Sequence, residues 1–479
     1  MFQFQGAETI VAVALVIGFV AVLVNRVYYS DPLKHIPGPA IGRFTPLWLW
    51  YISWRGVECT EIAAMHEKYG FIIRVAPNEV DISDGRAGPP IYIKNGGYRK
   101  SPVYRNIDVN GFITLFSAVD PAHRAPRAKA VAPLFAQQQV IQNRAHAQQV
   151  IARMLAELER RKAGACGRPV DVLNLFRAMF IDTVSLCLLG ESLNSIGENR
   201  FTATDFVDRF ASSGRFFLLP RWLFHKLEHW AHIIHKDRLT IDASIQHIQD
   251  FATRVVDRSI AEEKPQAQTY QDRLLSAGIS REETIAQVID ILFAGTDGVG
   301  TTLSQLARFL ADHPQKYERV HEEVINNPDS DAQALPYLTS IVKESLRLSM
   351  ANPTRLPRIV PPGGMRVDGL PFIPAGTSVG LSAYNLHLNS EVFAEPHAFL
   401  PERWLDPSAE MLRDSFYFGQ GSRQCIARNF AWAALCWAAE GLIRSDVLRG
   451  AKSVKEDAEI YQWFNSISRN GKRELVWED

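Results

Sequence analysis

The hydrophobic pattern of the chain begins with an apolar run near the N-terminus. Ile10 to Val24 contains no charged residue, but fifteen helical residues extend only about 23 Å, against about 30 Å for a bilayer core. The flanks, from Gly6 to Tyr29, add the missing length. Arg26 and Lys34 follow the run and no basic residue precedes it, which argues against a cleaved signal peptide and predicts a cytosolic body. A signal peptide and a merely buried helix are the alternatives to a membrane anchor.

The rest of the pattern is mainly helical. Phe71 to Ser83 is rich in β-branched residues between two glycines and predicts a hairpin. Val360 to Val379 predicts a second short β region, whereas helical periodicity dominates from about Pro121 to Pro314. Clear helical patterns lie at Gln148–Arg161 and Ile241–Glu263.

These patterns divide the chain into three segments. Residues 1–29 are the predicted membrane anchor, and residues 30–40, with three prolines, are a predicted stiff hinge. Residues 41–479 contain no internal repeat and no long low-complexity linker, so we predict one catalytic domain. Its fold class is mainly α with a small β portion.

The longest helical pattern starts at Ser280 and ends near Asp312, before a proline. Glu283 lies three residues after Ser280, as in a capping box, and the predicted helix is about 48 Å long. Its middle, Phe293 to Thr302, contains three glycines, each costing about 1 kcal/mol in a helix. It also contains Asp297, which is unlikely to be buried without a partner. Tight helix packing explains the pattern, and so does a locally opened helix beside a flat ligand.

Composition and charge narrow the function. The 479 residues are 47% hydrophobic and 22% charged, which is typical of a globular protein. Lys plus Arg (52) equal Asp plus Glu (52), so no strong field favours nucleic acid. The five cysteines form no C-x-x-C pair, and an odd number argues against a disulfide framework. A reducing, cytosol-facing environment fits this composition.

One cysteine has a distinctive setting. The loop from Phe418 to Ala427 is rich in glycine and leads into an apolar helix predicted at Asn429–Ile443. Cys425 lies at the junction, where free N–H groups of the helix and the charge of Arg423 favour a thiolate. A thiolate suits iron, and in haem it favours cleavage of the O–O bond. Most lone cysteines are inert core residues, which is our interpretation of the cysteines in apolar helical runs, Cys187 and Cys436.

The cysteine loop resembles the haem-binding signature F-x-x-G-x-R-x-C-x-G of the cytochrome P-450 superfamily. Phe418, Gly421, Arg423 and Cys425 match it, whereas Ala427 replaces the usual glycine. The resemblance extends from His35 to the C-terminus and implies haem b (heme b) with Cys425 as the axial thiolate ligand. It also implies the haem-thiolate fold of the superfamily, in the form of a microsomal, fungal-type member.

Other motifs are similar to those of the family and follow in its order. Glu344 and Arg347 form its E-x-x-R pair, and Arg403 looks like the third member of that ion network. Spacing by three puts Glu344 and Arg347 on one helix face, from which they can brace the cysteine loop together with Arg403. A surface ion pair is the alternative.

The resemblance also implies further cofactor contacts. Arg358, Arg127 and His123 stand where the family binds the haem propionates, and Arg423 is a further candidate. A buried haem needs such cations for its two carboxylates. Surface charge is the alternative, above all for His123. The segment Ala294 to Asp297, which includes Gly295, begins the oxygen-binding helix motif, with Asp297 as the candidate catalytic residue.

The family places its substrate over the distal face of the haem. Residues near that face by position are apolar, so we predict an apolar pocket, although a core role fits most of them equally. The main candidates are Phe112, Phe116, Phe293, Ala294, Leu356, Trp463 and Phe464, together with Phe216, Phe217 and Leu218.

The resemblance implies a monooxygenase that hydroxylates or epoxidises a small, largely apolar secondary metabolite. The chain has no G-x-G-x-x-G and no Walker loop, so electrons must come from a partner, an NADPH-dependent flavoprotein reductase. The implied location is the endoplasmic reticulum membrane, with a single pass and a cytosolic catalytic domain. Two alternatives remain open: a haem-thiolate isomerase or dehydratase that needs no reductase, and a non-catalytic haem-binding protein.

One departure from the family concerns oxygen activation. Threonine usually follows the acidic residue of the oxygen-binding helix and helps to hold a water, but here Gly298 follows Asp297. Thr301 and Thr302 lie about one helical turn too far along to replace it directly. Either the substrate supplies a polar group and Asp297 relays the proton, or the chemistry is not ordinary oxygen cleavage. We favour the first explanation because the other motifs are intact.

Overall fold

The computed structural model describes residues 31–198, 202–262, 268–454 and 459–477, together with two exposed helical positions, 14 and 18. The rest of the predicted anchor at residues 1–29 lies outside the described residues, and the anchor stays a prediction. Within the described part, one helical stretch, Val172–Leu189, is apolar and long enough to cross a membrane, and 89% of it is buried in the protein. It belongs to the core.

The described chain is mainly helical, as predicted. The helices are α1 (Leu47–Arg55), α2 (Glu58–Tyr69), α3 (Pro121–Val131), α4 (Gln137–Gln142), α5 (Arg144–Ala165), α6 (Val172–Val184), α7 (Thr202–Ser213), α8 (Arg221–Ile233), α9 (Arg238–Ala261), α10 (Tyr270–Ser276), α11 (Arg281–Ala294), α12 (Asp297–Asp312), α13 (Pro314–Asn326), α14 (Pro336–Ser349), α15 (Ala383–His387), α16 (Ala409–Asp414) and α17 (Arg428–Arg444). The patterns predicted at Gln148–Arg161 and Asn429–Ile443 fall within α5 and α17, and the pattern predicted at Ile241–Glu263 corresponds to α9, which ends at Ala261. Every residue of α6 is buried, so this helix lies in the centre of the molecule.

The strands form small sheets, and the first of the two predicted β regions is confirmed. The strands are β1 (Ile72–Ala76), β2 (Glu79–Ile82), β3 (Arg99–Lys100), β4 (Val170–Asp171), β5 (Arg358–Ile359), β6 (Ser378–Gly380), β7 (Ala451–Ser453), β8 (Ile460–Tyr461), β9 (Ile467–Ser468) and β10 (Glu474–Trp477). The second predicted region, Val360–Val379, is mostly an irregular connection between β5 and β6 that contains one isolated bridge, between Met365 and Ile373. The largest sheet has the order β1-β2-β6-β5-β3. β1 and β2 form the predicted antiparallel hairpin, and β5 pairs antiparallel with β6. The pairs β2–β6 and β3–β5 join these regions, so the sheet brings Lys100 beside Arg358.

The proline-rich segment before α1 is packed against the body. Leu33 and Ile36 are buried, and the backbone N–H of Arg74 in β1 donates to the Pro37 carbonyl at 2.7 Å. The buried Arg74 guanidinium also pairs with Asp31. From residue 31 onward, therefore, the segment predicted as a hinge contributes to the core and is not a free linker. Its prolines stiffen it, as predicted, but its apolar side chains fix its position.

The long helix predicted from Ser280 to Asp312 is interrupted. It forms α11 and α12, which are separated at Gly295 and Thr296. The predicted N-cap is present, since the Ser280 hydroxyl accepts from the Glu283 N–H at 3.2 Å. The Glu283 carboxylate does not complete the capping box but pairs with Arg127. The interruption agrees with a locally opened helix, one of the two explanations that the glycine-rich sequence left open.

Candidate haem-thiolate site

Cys425 lies at the end of a tight loop that leads into α17. Its backbone N–H donates to the Phe418 carbonyl at 2.8 Å. Gly421 has a φ of 71°, and a Cβ there would lie 1.7 Å from the carbonyl oxygen of Tyr92, so only glycine fits. Ala427 is the N-cap of α17 with a φ of −91°, a conformation that alanine adopts without strain. The departure from the usual glycine at this position therefore leaves the loop intact.

Two observations lead us to infer that the Cys425 thiol faces an interior space. The residue retains accessible surface, yet desolvation by the surrounding protein raises the pKa of the thiol, and only the Ala427 N–H and Arg428 lower it in part. The sequence suggested that Arg423 would stabilise a thiolate here. Its guanidinium instead donates to backbone carbonyls, at 3.1 Å to that of Ala118. A thiolate at this position therefore needs a further cation, which a metal ion bound to sulfur supplies.

A cluster of four cations lies beside the cysteine loop, and none of them has a carboxylate in ion-pair contact among the described residues. Its members are Lys100, Arg124, Arg358 and Arg423. Desolvation and then the charges of Arg358, Arg423 and Arg124 hold the pKa of Lys100 well below its usual value. Desolvation, followed by Arg124 and Arg358, lowers the pKa of Arg423 to about 10. Within the described part of the chain, none of the four forms an ion pair; Arg358 donates to the Tyr104 hydroxyl at 3.2 Å and to carbonyls. Lys100 and Arg358 are buried and Arg124 and Arg423 are half-buried. Mutually repelling cations with so little water around them fit a ligand that carries two carboxylates, as haem does.

Two members of this cation cluster, Lys100 and Arg124, were missed in the sequence. Lys100 ends a two-residue strand, and its Nζ donates to the Phe116 carbonyl at 2.5 Å while lying over the Tyr104 ring. No local pattern distinguishes such a lysine from a surface one. Arg124 directly follows His123, and its place in the motif was the only available signal.

His123 and Arg127 have a different position from the one expected. The Arg127 guanidinium forms a two-pronged pair with the Glu283 carboxylate, with one N–O distance of 2.7 Å. The His123 imidazole lies 4.0 Å from the same carboxylate. Residues four apart share one helix face, and this face of α3 turns towards the start of α11. Arg124, about 100° around the helix, belongs to the cation cluster instead.

The structure brings Glu344, Arg347 and Arg403 together in a buried network. Arg347, with no exposed surface, donates to both Glu344 oxygens at 2.7 and 2.9 Å, and Arg403 donates to the same carboxylate at 3.2 Å. Trp404 adds a fourth donor at 2.8 Å. The surface-pair alternative is therefore wrong. The network joins α14 to the segment that precedes the cysteine loop.

His387 connects this network to the cysteine loop and was also missed in the sequence. Its Nδ1 lies 3.0 Å from the Arg347 carbonyl, and its Nε2 accepts from the Phe416 N–H at 2.9 Å. An accepting Nε2 fixes the neutral ring with the proton on Nδ1. Burial, followed by the charge of Arg347, lowers the pKa of His387 to about 3, so this arrangement persists at neutral pH.

The three glycines near the helix interruption have different surroundings, which explain why two of the positions require glycine. A Cβ at Gly295 would lie 2.6 Å from Val184, and one at Gly300 would lie 2.8 Å from the Cγ of Arg177, so packing against α6 requires both glycines. A Cβ at Gly298 would meet only the Ala351 Cβ, at 3.9 Å. The close-packing explanation therefore holds for two of the glycines, whereas Gly298 leaves open space.

Asp297 is buried at the start of α12 in an ion pair. Its Oδ1 accepts from Arg177 Nη2 at 2.6 Å, and its Oδ2 lies 3.4 Å from the Asn465 amide nitrogen. Arg177 of α6, far away in the sequence, is therefore the partner that the buried Asp297 carboxylate needs. One turn further on, the Thr302 hydroxyl donates to the Gly298 carbonyl at 2.8 Å and does not occupy the threonine position of the family.

Some of the predicted substrate residues come together. Phe116 and Phe464 have ring centroids 5.8 Å apart, and Phe217 lies 4.4 Å from Phe464, with Tyr104 as a further aromatic neighbour. Ala294 is exposed although its helix is otherwise largely buried, and we infer that it borders the same interior space. These residues give that space an apolar, mostly aromatic wall.

The remaining candidates are more dispersed. Phe293 lies beside Phe210 of α7, at 5.1 Å between ring centroids, and Leu356 packs against two core clusters. Phe112 packs at the edge of the main core. Trp463 stacks on Tyr461 at 4.6 Å within a separate small cluster, so it is not part of the aromatic wall.

Asp290 adds a polar group that the sequence analysis overlooked. It lies four residues before Ala294 on α11 and retains partial exposure, while surrounding protein raises the pKa of its carboxyl to about 6, against the effects of Thr114, the Phe116 backbone and Lys100. Spacing by four puts Asp290 and Ala294 on one helix face. The interior space is therefore apolar with one carboxyl group near its wall.

Comparison with known proteins identifies the class. The family model of cytochrome P450 matches residues 43–439, so the chain belongs to the cytochrome P450 family. It is 36% identical to cytochrome P450 monooxygenase mfmF of Annulohypoxylon moriforme, over 97% of this chain and 98% of that protein. It is 30% identical to cytochrome P450 monooxygenase BOT1 of Botryotinia fuckeliana, over 86% and 84%, and 26% identical to cytochrome P450 monooxygenase macH of Penicillium terrestre, over 90% and 89%.

Family membership confirms three predictions from the sequence. The resemblance to cytochrome P-450 is correct, the chain is an oxidoreductase related to fungal P450 monooxygenases, and its cofactor is a haem held by a cysteine thiolate. The described residues fit this cofactor. The accessible Cys425 thiol suits the haem iron, and the cation cluster without ion-pair partners suits the two propionates. Family membership does not identify the substrate or the electron donor.

Proposed function

We propose that the protein is a microsomal monooxygenase of fungal secondary metabolism. In its reaction, a substrate C–H or C=C bond gains one atom of O₂, the other atom leaves as water, and NADPH supplies two electrons through a flavoprotein reductase. Cys425 is the proposed iron ligand, and Lys100, Arg124, Arg358 and Arg423 are the proposed propionate contacts. The observation that carries this proposal is the convergence of an interior-facing thiol and four unpaired cations.

The bound haem supplies the oxygen activation, which its thiolate ligand favours. The chain's own residues bind, orient and shield. The aromatic wall around Phe116 and Phe464 excludes water and favours a largely apolar substrate. The buried network of Glu344, Arg347 and Arg403 holds the segment that leads to the cysteine loop. Asp297 is the proposed proton relay at the distal helix.

The space at Gly298 supports a role for the substrate in oxygen activation. No side chain fills the position where the family has a hydroxyl, and packing does not require glycine there. We propose that a hydroxyl or carbonyl group of the substrate, or a water that it holds, occupies this space near Asp297.

The experiment starts from product analysis of reductase-supplemented membranes fed with metabolite extracts. Once a substrate is known, Gly298→Thr is compared with Gly298→Ala, which adds a Cβ without a hydroxyl. We expect Gly298→Thr to lower peroxide release per NADPH with a substrate analogue that lacks the polar group. Gly298→Ala should leave that leakage high, since both side chains fit the space but only one offers a hydroxyl.

Three outcomes would contradict this account. Equal leakage from Gly298→Thr and Gly298→Ala would remove the role of the missing hydroxyl. Turnover at full rate without reductase or NADPH would support the isomerase or dehydratase alternative, which the lack of a hydroxyl at position 298 also favours. A protein that binds haem but converts no compound in the extracts would support the non-catalytic alternative.

The proposed location is the endoplasmic reticulum membrane, and two neighbouring surfaces support it. Leu47, Tyr51 and Trp54 are exposed along one face of α1, and Trp222 and Trp230 of α8 are 64% and 62% exposed. The two helices adjoin, because the partly buried Trp50 of α1 packs in the same cluster as Phe224 of α8. Exposed aromatic and aliphatic residues of this kind favour the interface of a membrane.

Deletion of residues 1–29 should weaken membrane retention without abolishing it. We expect part of the truncated protein to sediment with membranes, and Trp222→Ser with Trp230→Ser to release that part, because apolar area drives the remaining contact. Leu405→Ser with Leu412→Ser, at exposed residues elsewhere, is the matched control and should sediment as before. Truncated protein that takes up haem but is inactive in a soluble assay would contradict a purely anchoring role.

A further inference from the structure

Asp297 shares its arginine partner, Arg177, with a second carboxylate. The Arg177 side chain is only 1% exposed, and it donates from Nη2 to Asp297 at 2.6 Å and from Nη1 to Asp208 of α7 at 3.0 Å. Its Nε has no hydrogen-bond partner among the described residues. One guanidinium therefore divides its charge between two carboxylates on different helices.

The chain makes room for this arrangement. Gly300 lies in α12 directly over Arg177, where a Cβ would come within 2.8 Å of the Arg177 Cγ and 3.2 Å of its backbone. Any larger residue would push α12 away from α6 and separate Asp297 from the guanidinium. The glycine thus serves the ion pair as well as the packing of the two helices.

The two carboxylates differ in their access. The Asp297 side chain is 3% exposed, whereas that of Asp208 is 34% exposed. Desolvation nevertheless raises the pKa of Asp208 to about 6, despite the opposing charge of Arg177. Asp208 is therefore the more accessible of the two carboxylates.

The helix that carries Asp208 also contacts the predicted substrate region. Phe206 and Phe210 of α7 lie 6.3 and 5.1 Å from the Phe293 ring of α11, measured between centroids. The helix that carries Asp208 is therefore in direct contact with Phe293 of α11.

We propose that Arg177 is a positioning residue which holds Asp297 ionised at the distal helix, and that Asp208 couples this hold to the position of α7. The proposal rests on the proton-relay role proposed for Asp297. Arginine itself carries no proton across the network, because its guanidinium stays protonated. Its effect is on where Asp297 lies and whether Asp297 is charged. The other groups facing the network are Asp171, Asp205 and the neutral Asn465.

The test needs no organic substrate. Full-length holoenzyme in reductase-supplemented membranes receives NADPH and O₂ alone, and NADPH oxidation and peroxide release are measured from pH 6 to 8.5. Each rate is divided by the wild-type rate at the same pH and by the amount of thiolate-ligated haem, taken from the carbon monoxide spectrum. The variants are Asp297→Asn, Arg177→Gln, Arg177→Lys, Asp208→Asn and the double variant Arg177→Gln/Asp297→Asn.

We expect Asp297→Asn to oxidise NADPH at least roughly tenfold more slowly at every pH. Arg177→Gln should be slow at pH 6 and recover as pH rises, because a buried carboxylate without its cation takes up a proton. The double variant should lose this pH dependence, and Arg177→Lys should restore a flat ratio. A loss of packing alone would produce none of these pH profiles. Asp208→Asn should slow the reaction without pH dependence, since Asp297 is then held by the whole charge of Arg177.

Arg74→Gln is the matched control. It removes another buried arginine that pairs with a carboxylate, Asp31, and Arg74 is far from Arg177 in the sequence. It should keep a flat ratio. A flat ratio for Arg177→Gln beside a slow Asp297→Asn would overturn the inference and leave the relay standing. A fast Asp297→Asn would overturn the relay itself. If Arg177→Gln does not fold, Asp208→Asn decides, and a wild-type rate in that variant would refute the coupling.

Discussion

Cys425→Ala should abolish the strongly red-shifted Soret band that reduced, thiolate-ligated haem shows with carbon monoxide. Cys425 is the cysteine that faces the interior space at the end of a loop fixed by Gly421. Alanine removes the sulfur and its contact with the Ala427 N–H, but the hydrogen bond from the residue 425 N–H to the Phe418 carbonyl, which holds the loop, remains. The expected loss of the band is therefore complete, and with it the loss of monooxygenase activity. The measurement is the difference between the spectra of the reduced protein with and without carbon monoxide.

The other cysteines provide the controls. Cys436 is fully buried in α17, and Cys187 is largely enclosed, with burial raising the pKa of both thiols. Thiols of this kind behave as small apolar side chains. Cys187→Ala and Cys436→Ala should keep the band at its wild-type position. A band retained in Cys425→Ala would show that the ligand had been assigned to the wrong residue.

Arg347→Ala should remove most of the folded, haem-binding protein. Arg347 has no exposed surface and makes two bonds to Glu344, and its Nη1 donates to the carbonyls of His387 and Pro396 at 2.7 and 2.6 Å. Alanine leaves the Glu344 carboxylate buried with less positive charge and frees these carbonyls. Removing one partner of a buried ion pair costs about 3–5 kcal/mol, a large part of the stability of a domain. The measurement is the yield of thiolate-ligated haem together with the unfolding temperature.

An exposed arginine in a similar motif is the control for this prediction. Arg449 also pairs with two carboxylates, Glu318 and Asp446, but its side chain is 44% exposed. Water replaces such contacts, so Arg449→Ala should leave haem yield and unfolding temperature almost unchanged. Arg347→Lys should fall near Arg347→Ala, because an ammonium group cannot reproduce the planar fork of five donors. Wild-type stability in Arg347→Ala would mean that the network does not support the cysteine loop.

The sequence by itself determined the elements whose causes are local. The β-branched hairpin, the Ser280 N-cap and the glycine-rich loop before Cys425 each follow from neighbouring residues, and each is present as expected. The ion network was also within reach, because Glu344 and Arg347 share a helix face and the order of motifs resembles a known family. Spacing and conformational preference act over a few residues, so these features can be recognised along the chain.

Only the tertiary structure decided which charges meet. Arg127, expected at the propionates, pairs with Glu283 across 156 residues, while Arg124 and Lys100 join Arg358 and Arg423. The buried partner of Asp297 proved to be Arg177, from a different helix. The choice depends on the rotation of each helix face and on which helices adjoin. A change of one residue turns a side chain by about 100°, and the chain pattern does not specify that packing.

The glycines of α11 and α12 show the same division within one segment. Sequence alone indicated that three glycines weaken the helix, and the helix is interrupted there. Whether each glycine serves packing or leaves space was decided by what lies opposite: Val184 at Gly295, Arg177 at Gly300 and almost nothing at Gly298. The residues around a glycine in the sequence do not show why it is needed. The reason depends on which distant group approaches the glycine in the folded chain, or on which ligand fills the space beside it.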